Sequence, residues 1–361
     1  MRFGTLNGNL EGFWVVAHDS GELASDTNTY EITGLDGDAD IEYQLIVRYI
    51  QPGAVNLLLN FNNDTGANYG KQFIFGRDTT AQSIRFTGQG EIRITQAVSG
   101  SSGDIAFSNS HIFAKSGKER TLINMNCADV SGTTIINVEK SSSVWNNTAD
   151  NLTSMQFSQS TGDIKAGSRF ILLKKVHATT GMKLGAARPN KLENAWERIY
   201  AKTLTSAVPD IDIKDLKGDT DCVYRLIVRP ISGTATSWTG NLTFNGDNAG
   251  TTYGIQRLRG TDTTADAGRS VGINIINPGR CTGLGELNHI EYLIYAKSGY
   301  ERTVLCTSAI EISATTITRL SLFGGVWSNT TDEVISIQLG SSSVADAYGV
   351  GSSIELYRLN L

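Results

Sequence analysis

Residues 35–48, LDGDADIEYQLIVR, return later in the chain as residues 216–229, LKGDTDCVYRLIVR, with nine of fourteen positions identical. In the first copy Tyr43, Leu45 and Val47 occupy every second position. Because successive side chains of a β-strand point to opposite faces, these three share one face, which is typical of a half-buried strand. The stretch therefore predicts a strand and, through its return, an internal duplication.

Two further segments repeat at nearly the same distance. IFAKSGKERT at 112–121 matches IYAKSGYERT at 294–303 with eight of ten positions identical, and SVWNNTADNLTSM from Ser143 matches GVWSNTTDEVISI from Gly325. The matched positions stay 181 or 182 residues apart. A repeat of this length exceeds one turn of a solenoid, so each copy is expected to be a complete domain with its own core.

The matches set the expected boundaries. The first domain is predicted at residues 10–176 and the second at 192–361, joined by a linker at 177–191 that contains Gly181, Gly185 and Pro189. Glycine and proline suit a flexible connection.

Both copies contain several short segments that alternate apolar and polar residues, separated by clusters of Gly, Asn, Asp and Ser. Long segments with helical periodicity are missing, which disfavours parallel sheets built from βαβ units. The one segment in which the sequence allows a short helix lies around residues 191–200. The sequence therefore predicts an all-β chain of two tandem, duplicated, antiparallel β-sandwich domains, each resembling a jelly roll of about eight strands.

The charge balance narrows the choice of partners. Lys plus Arg total 31 and Asp plus Glu total 36, a net charge of -5, which gives no reason to expect nucleic-acid or membrane-surface binding. No apolar run approaches the length of about 18 residues that crosses a bilayer, and the first residues do not resemble a secretory signal. We expect synthesis in the cytoplasm without a signal peptide.

Three alternating carboxylates, Asp36, Asp38 and Asp40, form the most suggestive metal-binding pattern, because hard cations such as calcium prefer carboxylate oxygens. The pattern is weak, since an EF-hand loop requires Gly where this chain has Ile41, and the second copy replaces Asp36 with Lys217. Capping of backbone N–H groups before the strand is the favoured interpretation. Calcium stays an alternative.

The remaining reactive residue types are scattered. The histidines and cysteines are His18, His111, His177, His289, Cys127, Cys222, Cys281 and Cys306. None forms a metal-ligand, redox, nucleophile or phosphate-binding motif, and the glycine near each AKSG segment suits a hairpin turn followed by a charged Glu-Arg pair. No catalytic residue, cofactor or metal site is predicted, and we expect the protein not to be an enzyme.

Trp145 and Trp327 occupy matching positions beside polar loops. A tryptophan in such a place can stack on a sugar or contact a partner protein, which makes both residues candidates for ligand or partner contact. Anchoring of the core is the favoured interpretation, because both copies carry the residue in the same context.

The ordered motifs LxGDxDxxYxLIVR, FNxD with a following YG, AKSGxERT, VWxNTxD and IELYR resemble repeated units of structural proteins of tailed bacteriophages. The resemblance spans both copies, although the first ends in FILLKK where the second has IELYR. It implies jelly-roll domains assembled on a virion as decoration, tail or collar components. The expected function is a capsid decoration or minor capsid protein that binds neighbouring virion subunits through sheet edges and loops.

The resemblance also implies the partners. We expect a homo-oligomer, for which a trimer would present six similar lobes to a sixfold partner. A tail or collar component that binds a receptor or carbohydrate is the alternative function. An enzyme such as a glycan hydrolase is a weaker rival, because it would require two acids facing each other across a cleft.

Overall fold

The fold was obtained from a computed structural model. It describes residues 13–96, 99–176, 195–236, 238–248, 250–261, 264–281, 283–313, 316–341 and 344–361. The linker predicted at 177–191 lies outside the described residues.

The described residues of the first repeat form twelve strands and one short helix. They are β1 (Phe13–Asp19), β2 (Tyr30–Thr33), α1 (Gly37–Asp40), β3 (Glu42–Ile50), β4 (Leu57–Phe61), β5 (Tyr69–Arg77), β6 (Thr80–Gln89), β7 (Ile92–Arg93), β8 (Ile105–Phe113), β9 (Arg120–Ser131), β10 (Thr134–Trp145), β11 (Ser154–Gln159) and β12 (Arg169–Val176).

The second repeat has the same order of elements. They are β13 (Trp196–Thr203), β14 (Ile211–Ile213), α2 (Gly218–Asp221), β15 (Val223–Arg229), β16 (Trp238–Phe244), β17 (Tyr253–Thr261), β18 (Thr264–Ile273), β19 (Ile276–Cys281), β20 (Leu287–Tyr295), β21 (Arg302–Ser313), β22 (Thr316–Trp327), β23 (Ile337–Ser341) and β24 (Ser353–Leu359).

Each repeat is a jelly roll with an extension. In the first repeat β1-β12-β3-β8 and β2-β11-β4-β7 form two facing four-stranded arrays, in which early and late strands alternate as a jelly roll requires. The hairpins β5-β6 and β9-β10 continue the first array, so that the large sheet has eight strands in the order β1-β12-β3-β8-β9-β10-β5-β6. The second repeat has the same order, and the strand pairs are antiparallel throughout. The predicted all-β, tandem sandwich fold is confirmed.

The alternation that predicted β3 also fills the core. Tyr43, Leu45 and Val47 are completely buried between the large and small sheets of the first repeat. Tyr224 and Leu226, at the matching positions of β15, are equally buried in the second repeat. Each sandwich therefore has its own core.

The helix expected around residues 191–200 is wrong where the chain is described. Residues from Trp196 onward form strand β13, which pairs with β24 at the edge of the large sheet. Pairing with β24 supplies backbone partners that the local sequence could not reveal. Within the described residues the helices α1 and α2 have four residues each, and neither could cross a membrane.

The two large sheets pack against each other through their outer faces. Ile46 and Phe107 from the first repeat share a third apolar core with Val223 and Leu293 from the second. The order of layers is therefore small sheet, large sheet, large sheet, small sheet. This face-to-face packing joins the two repeats into one block.

Glycine permits the close approach of the large sheets at one point. A Cβ atom added at Gly324 of β22 would lie 2.7 Å from Cβ of Cys127 in β9. Carbon atoms cannot approach so closely without movement of one sheet.

We therefore expect Gly324→Val to lower the free energy of unfolding by about 1–3 kcal/mol, because the added side chain forces the sheets apart. Urea denaturation followed by tryptophan fluorescence measures the loss. Gly260→Val, in the neighbouring strand β17, is the matched control, since a Cβ there meets nothing within 4 Å. Equal stability of the two variants would contradict the close contact.

Candidate functional site

The predicted calcium ligands have separate structural partners. Asp36 caps helix α1, and its Oδ1 accepts a hydrogen bond of 3.1 Å from the Ala39 backbone N–H. Oδ1 of Asp38 accepts one of 2.6 Å from the Ser116 backbone N–H, and this bond lowers the pKa of Asp38. Asp36 therefore caps backbone N–H groups, which is the interpretation that the sequence favoured.

The third carboxylate, Asp40, points elsewhere. Its Oδ2 accepts a 2.7 Å hydrogen bond from the Tyr43 hydroxyl, and its Oδ1 lies 3.0 Å from Nζ of Lys174. No group of three His, Cys, Asp or Glu side chains arranged for a metal ion occurs among the residues that the structure describes. Asp36 is thus a helix cap, while the hydrogen bonds of Asp38 to Ser116 and of Asp40 to Tyr43 are two tethers between neighbouring segments. This arrangement does not bring the three carboxylates together around a cation.

The second repeat preserves both tethers. Asp219 accepts a 2.6 Å hydrogen bond from the Ser298 backbone N–H, and Asp221 accepts a 2.7 Å bond from the Tyr224 hydroxyl. Lys217, which replaces the capping carboxylate, makes no side-chain cap. The shared aspartates therefore hold the start of the central strand to the AKSG turn in each repeat.

Trp145 is completely buried at the end of β10. Its indole N–H donates a 2.7 Å hydrogen bond to Oδ2 of Asp64, and its ring lies 5.5 Å from that of Phe61 and stacks at 6.3 Å on that of Tyr69. The guanidinium of Arg120 lies 5.2 Å from the ring centroid. The ring is therefore enclosed by protein.

Trp327 has the same environment in the second repeat. It is 1% exposed, donates a 2.7 Å hydrogen bond to Asp247, and lies 5.4 Å from the Arg302 guanidinium. Neither indole face is accessible to a sugar or a partner. Both tryptophans anchor the core, as the sequence favoured, and the alternative role in ligand or partner contact does not fit their burial.

The arginine of the AKSGxERT motif is buried in both repeats. Arg120 is completely buried and donates hydrogen bonds to the backbone carbonyls of Ala114 and Asn147. Arg302 is equally buried and donates to the carbonyls of Asn329 and, in addition, Asp332. A planar guanidinium with several donors can satisfy many carbonyls at once, which explains why arginine is suited to this turn.

These contacts join the repeated motifs into one cluster, which we call the end clamp. In the first repeat it consists of Asp38, Tyr43, Asp64, Arg120 and Trp145. Sequence reasoning missed Asp64, because it lies in an Asn- and Asp-rich loop that also suits a simple hairpin turn. The signal that identifies it is its partner Asp247, which accepts the same indole bond in the second repeat.

Removal of the acceptor tests the end clamp. Asp64→Ala and Asp247→Ala each leave a buried indole N–H unpaired, so each should lower the free energy of unfolding by about 1–3 kcal/mol. Urea denaturation gives the values. The exposed Asp212 provides the control, because Asp212→Ala should change stability by less than about 0.5 kcal/mol. Equal effects at all three positions would show that the indole bonds contribute nothing.

A buried ion pair distinguishes the first repeat. Nζ of Lys71 lies 2.6 Å from Oε1 of Glu139, and the two side chains are 4% and 0% exposed. Burial lowers the pKa of Lys71, while the Glu139 carboxylate opposes that change. The matching register positions of the second repeat hold Ile255 and Ser321. Perturbed groups of this kind occur at active sites, but both side chains of this pair are enclosed within the sandwich.

The contact between the repeats contains a buried arginine. The Arg48 guanidinium lies 3.5 Å from the ring centroid of Tyr300 and 5.0 Å from that of Tyr295, both in the second repeat. Its Nη1 lies 3.2 Å from Oε1 of Glu22 and donates a 3.1 Å hydrogen bond to the Gly167 carbonyl. Cation–π contacts of a desolvated arginine add to the apolar packing between the sheets.

A histidine at the same contact makes stability depend on pH. His111 packs edge-on against Trp14, with centroids 5.8 Å apart. Burial, followed by the positive charge of Arg225, lowers its pKa, although Glu291 opposes the change. The folded state therefore takes up its proton at a lower pH than the unfolded chain. The stability that neutral His111 contributes is complete above about pH 6.5 and is lost as the pH falls towards its lowered folded pKa.

We expect the urea midpoint to fall between pH 7.5 and pH 5, and His111→Gln to reduce that fall. Burial lowers the pKa of His18 as well, so part of the fall should persist in the single variant and be removed further in the double variant with His18→Gln. An unchanged pH dependence in His111→Gln would contradict the assignment.

Two long edge strands lie next to each other. Strands β6 and β18 have ten residues each, end their large sheets, contain no buried residue, and contact one another. An ion pair of 2.6 Å between Arg269 of β18 and Asp78, in the turn before β6, joins them. Edge strands expose backbone N–H and C=O groups that can pair with another chain.

Comparisons with known proteins add no function. No protein-family model and no curated protein matches the sequence. Solved structures that resemble the fold include domains LG4-5 of the mouse laminin alpha1 chain, with 10% identity and a TM-score of 0.21 over 96% of this chain and 91% of that one. A putative thioesterase from Novosphingobium aromaticivorans has 7% identity and a TM-score of 0.13 over 85% and 98%. A protein of the DUF3598 family from Nostoc punctiforme has 10% identity and a TM-score of 0.13 over 79% and 95%. Likeness at these scores carries no functional argument.

Proposed function

We propose that the chain is a structural protein of a tailed-bacteriophage virion, a capsid decoration or minor capsid protein that binds neighbouring subunits through sheet edges and loops. The observation that carries the proposal is the pair of exposed edge strands β6 and β18 at one side of the block. Such strands add a strand from a partner by main-chain hydrogen bonding, which gives affinity without a reactive site.

The length and composition of these strands favour assembly. A strand of ten residues extends about 33 Å, enough to pair with a complete strand of a neighbour. Neither β6 (TAQSIRFTGQ) nor β18 (TADAGRSVGI) contains proline, which proteins use to block unwanted pairing at an edge. Long edges without proline are a liability in a monomer and an advantage in an assembly.

The end clamp supports the same proposal. The motifs that give the resemblance to virion proteins are those that hold each sandwich together, so the shared residues serve stability. The residues available for function are then those on the surfaces of the block. We propose further that the protein forms a homo-oligomer, and a closed trimer would place three edge pairs around one axis.

Cryo-electron microscopy of the virus particles that contain this chain tests the proposal. Density for the double sandwich on the capsid is the expected result, with a strand of a neighbour beside β6 or β18. Density on the tail or collar would support the alternative location, and absence from particles would refute a virion role. Light scattering of the purified protein tests oligomer formation against the monomer mass of 38.9 kDa.

A proline scan of β6 and β18 tests the use of the edges. Proline at a position whose N–H faces solvent removes a donor needed by the partner and should abolish binding to particles. Variants that keep the wild-type urea midpoint identify those positions, because proline at an inward-facing N–H breaks the pairing with β5 or β17 and destabilises the hairpin. Retained binding in every stable proline variant of both edge strands would contradict edge pairing.

A further inference from the structure

A cleft of about 770 Å³ lies between the extensions of the two large sheets. One wall comes from β5, β6 and β10 of the first repeat, and the other from β17, β18, β20, β21 and β22 of the second. The extensions touch at Val138, Leu258 and Leu322, which form a small buried cluster. Leu258 and Leu322 also line the cleft, so the cleft adjoins this cluster.

The wall from the second repeat includes one continuous cross-strand row. Strand register places His289 opposite Ala309, Ala309 opposite Leu320, Leu320 opposite Gly260, and Gly260 opposite Ala265. Residues opposite each other in antiparallel strands share a face. The row therefore presents a mostly apolar surface in which Leu320, 59% exposed, is the largest aliphatic side chain and Gly260 leaves a gap.

The wall from the first repeat combines one apolar and one charged side chain. Ile74 of β5 is 47% exposed and lies opposite Lys140 of β10 in the register. Ile74 also lies opposite Ser83 of β6. Exposed aliphatic side chains on two walls of one cleft indicate a binding surface more strongly than isolated ones do.

The charges of the cleft favour an anion. None of the described residues that line it is acidic. Among the described residues no carboxylate lies within ion-pair distance of Lys140, while Arg259 on the other wall is held by Asp266, with Nε 2.9 Å from Oδ1. A free ammonium beside aliphatic side chains is complementary to a ligand with a negative group and an apolar body.

The backbone of the walls argues against a peptide as the ligand. Strands β5, β10, β17 and β22 are each paired on both sides within their sheets. These four strands therefore offer no backbone partners inside the cleft. The unpaired backbone groups of the edge strands β6 and β18 point along the planes of their sheets and not into the space between the sheet faces. A peptide there would leave its own N–H and C=O groups without protein partners, which costs free energy, whereas an alkyl chain has no such groups.

We propose that this cleft binds an aliphatic anion, with the alkyl chain between Ile74 and Leu320 and the carboxylate beside Lys140. The volume lies within the range of about 300–1,000 Å³ typical of small-molecule sites. The proposal is independent of virion assembly.

Isothermal titration calorimetry with dodecanoate, below its micelle concentration, tests the site in the full-length protein. Saturable binding of one dodecanoate is expected, with binding of dodecyltrimethylammonium about tenfold weaker because Lys140 repels it. Lys140→Gln should remove most of that difference. Lys118→Gln is the charge control, because Lys118 is exposed and does not line the cleft.

A second variant tests the location. Gly260→Val places methyl groups in the cleft, and a Cβ at this position meets nothing within 4 Å, so the protein should fold normally and lose binding at least about tenfold. Val350→Asp, at an exposed position away from the cleft, should bind as the wild type does. Absence of dodecanoate binding would overturn the proposal. Equal binding of the cationic amphiphile, or unchanged binding in a Gly260→Val variant with wild-type stability, would also overturn it.

Discussion

Strand β3 is buried on both faces, and the packing of the two repeats into one block depends on this burial. Tyr43, Leu45 and Val47 fill the core of the first sandwich, while Ile46 and Ile50 on the opposite face enter the core shared with the second repeat. A strand in an ordinary antiparallel sandwich has one face in water. Here the second face is covered by another large sheet, so that the duplicated units form four continuous layers.

The sequence predicted the fold well because its evidence was local or repeated. The alternation in residues 43–47 depends only on strand geometry, and it held in both repeats. The duplication could likewise be identified from the sequence alone, because the same residues return at matching positions. The two extension hairpins in each repeat and the packing of the large sheets involve contacts between residues far apart in sequence, which a pattern of single residues does not encode.

At the candidate site, the burial of charged residues was the feature that the sequence could not predict. Arg120 has the sequence context of an exposed turn, yet the rings and carbonyls around it come from distant strands. Arg48 and Arg229 occupy the same motif position, but the side chain is 0% exposed in the first and 44% exposed in the second, where it pairs with Glu355. The same motif therefore has two environments, and tertiary packing alone decides between them. Asp36, in contrast, behaved as a cap because capping is a local interaction.

The unequal use of matching residues makes the fused pair inherently asymmetric. Tyr295 is buried against Arg48, whereas its counterpart Phe113 is 44% exposed, and the glycine that admits Cys127 has Ser142 as its counterpart. The two repeats therefore recognise each other as unlike partners, and a module cannot replace its neighbour in the contact. An array assembled from many copies of this chain would therefore be directional, because each copy is itself asymmetric.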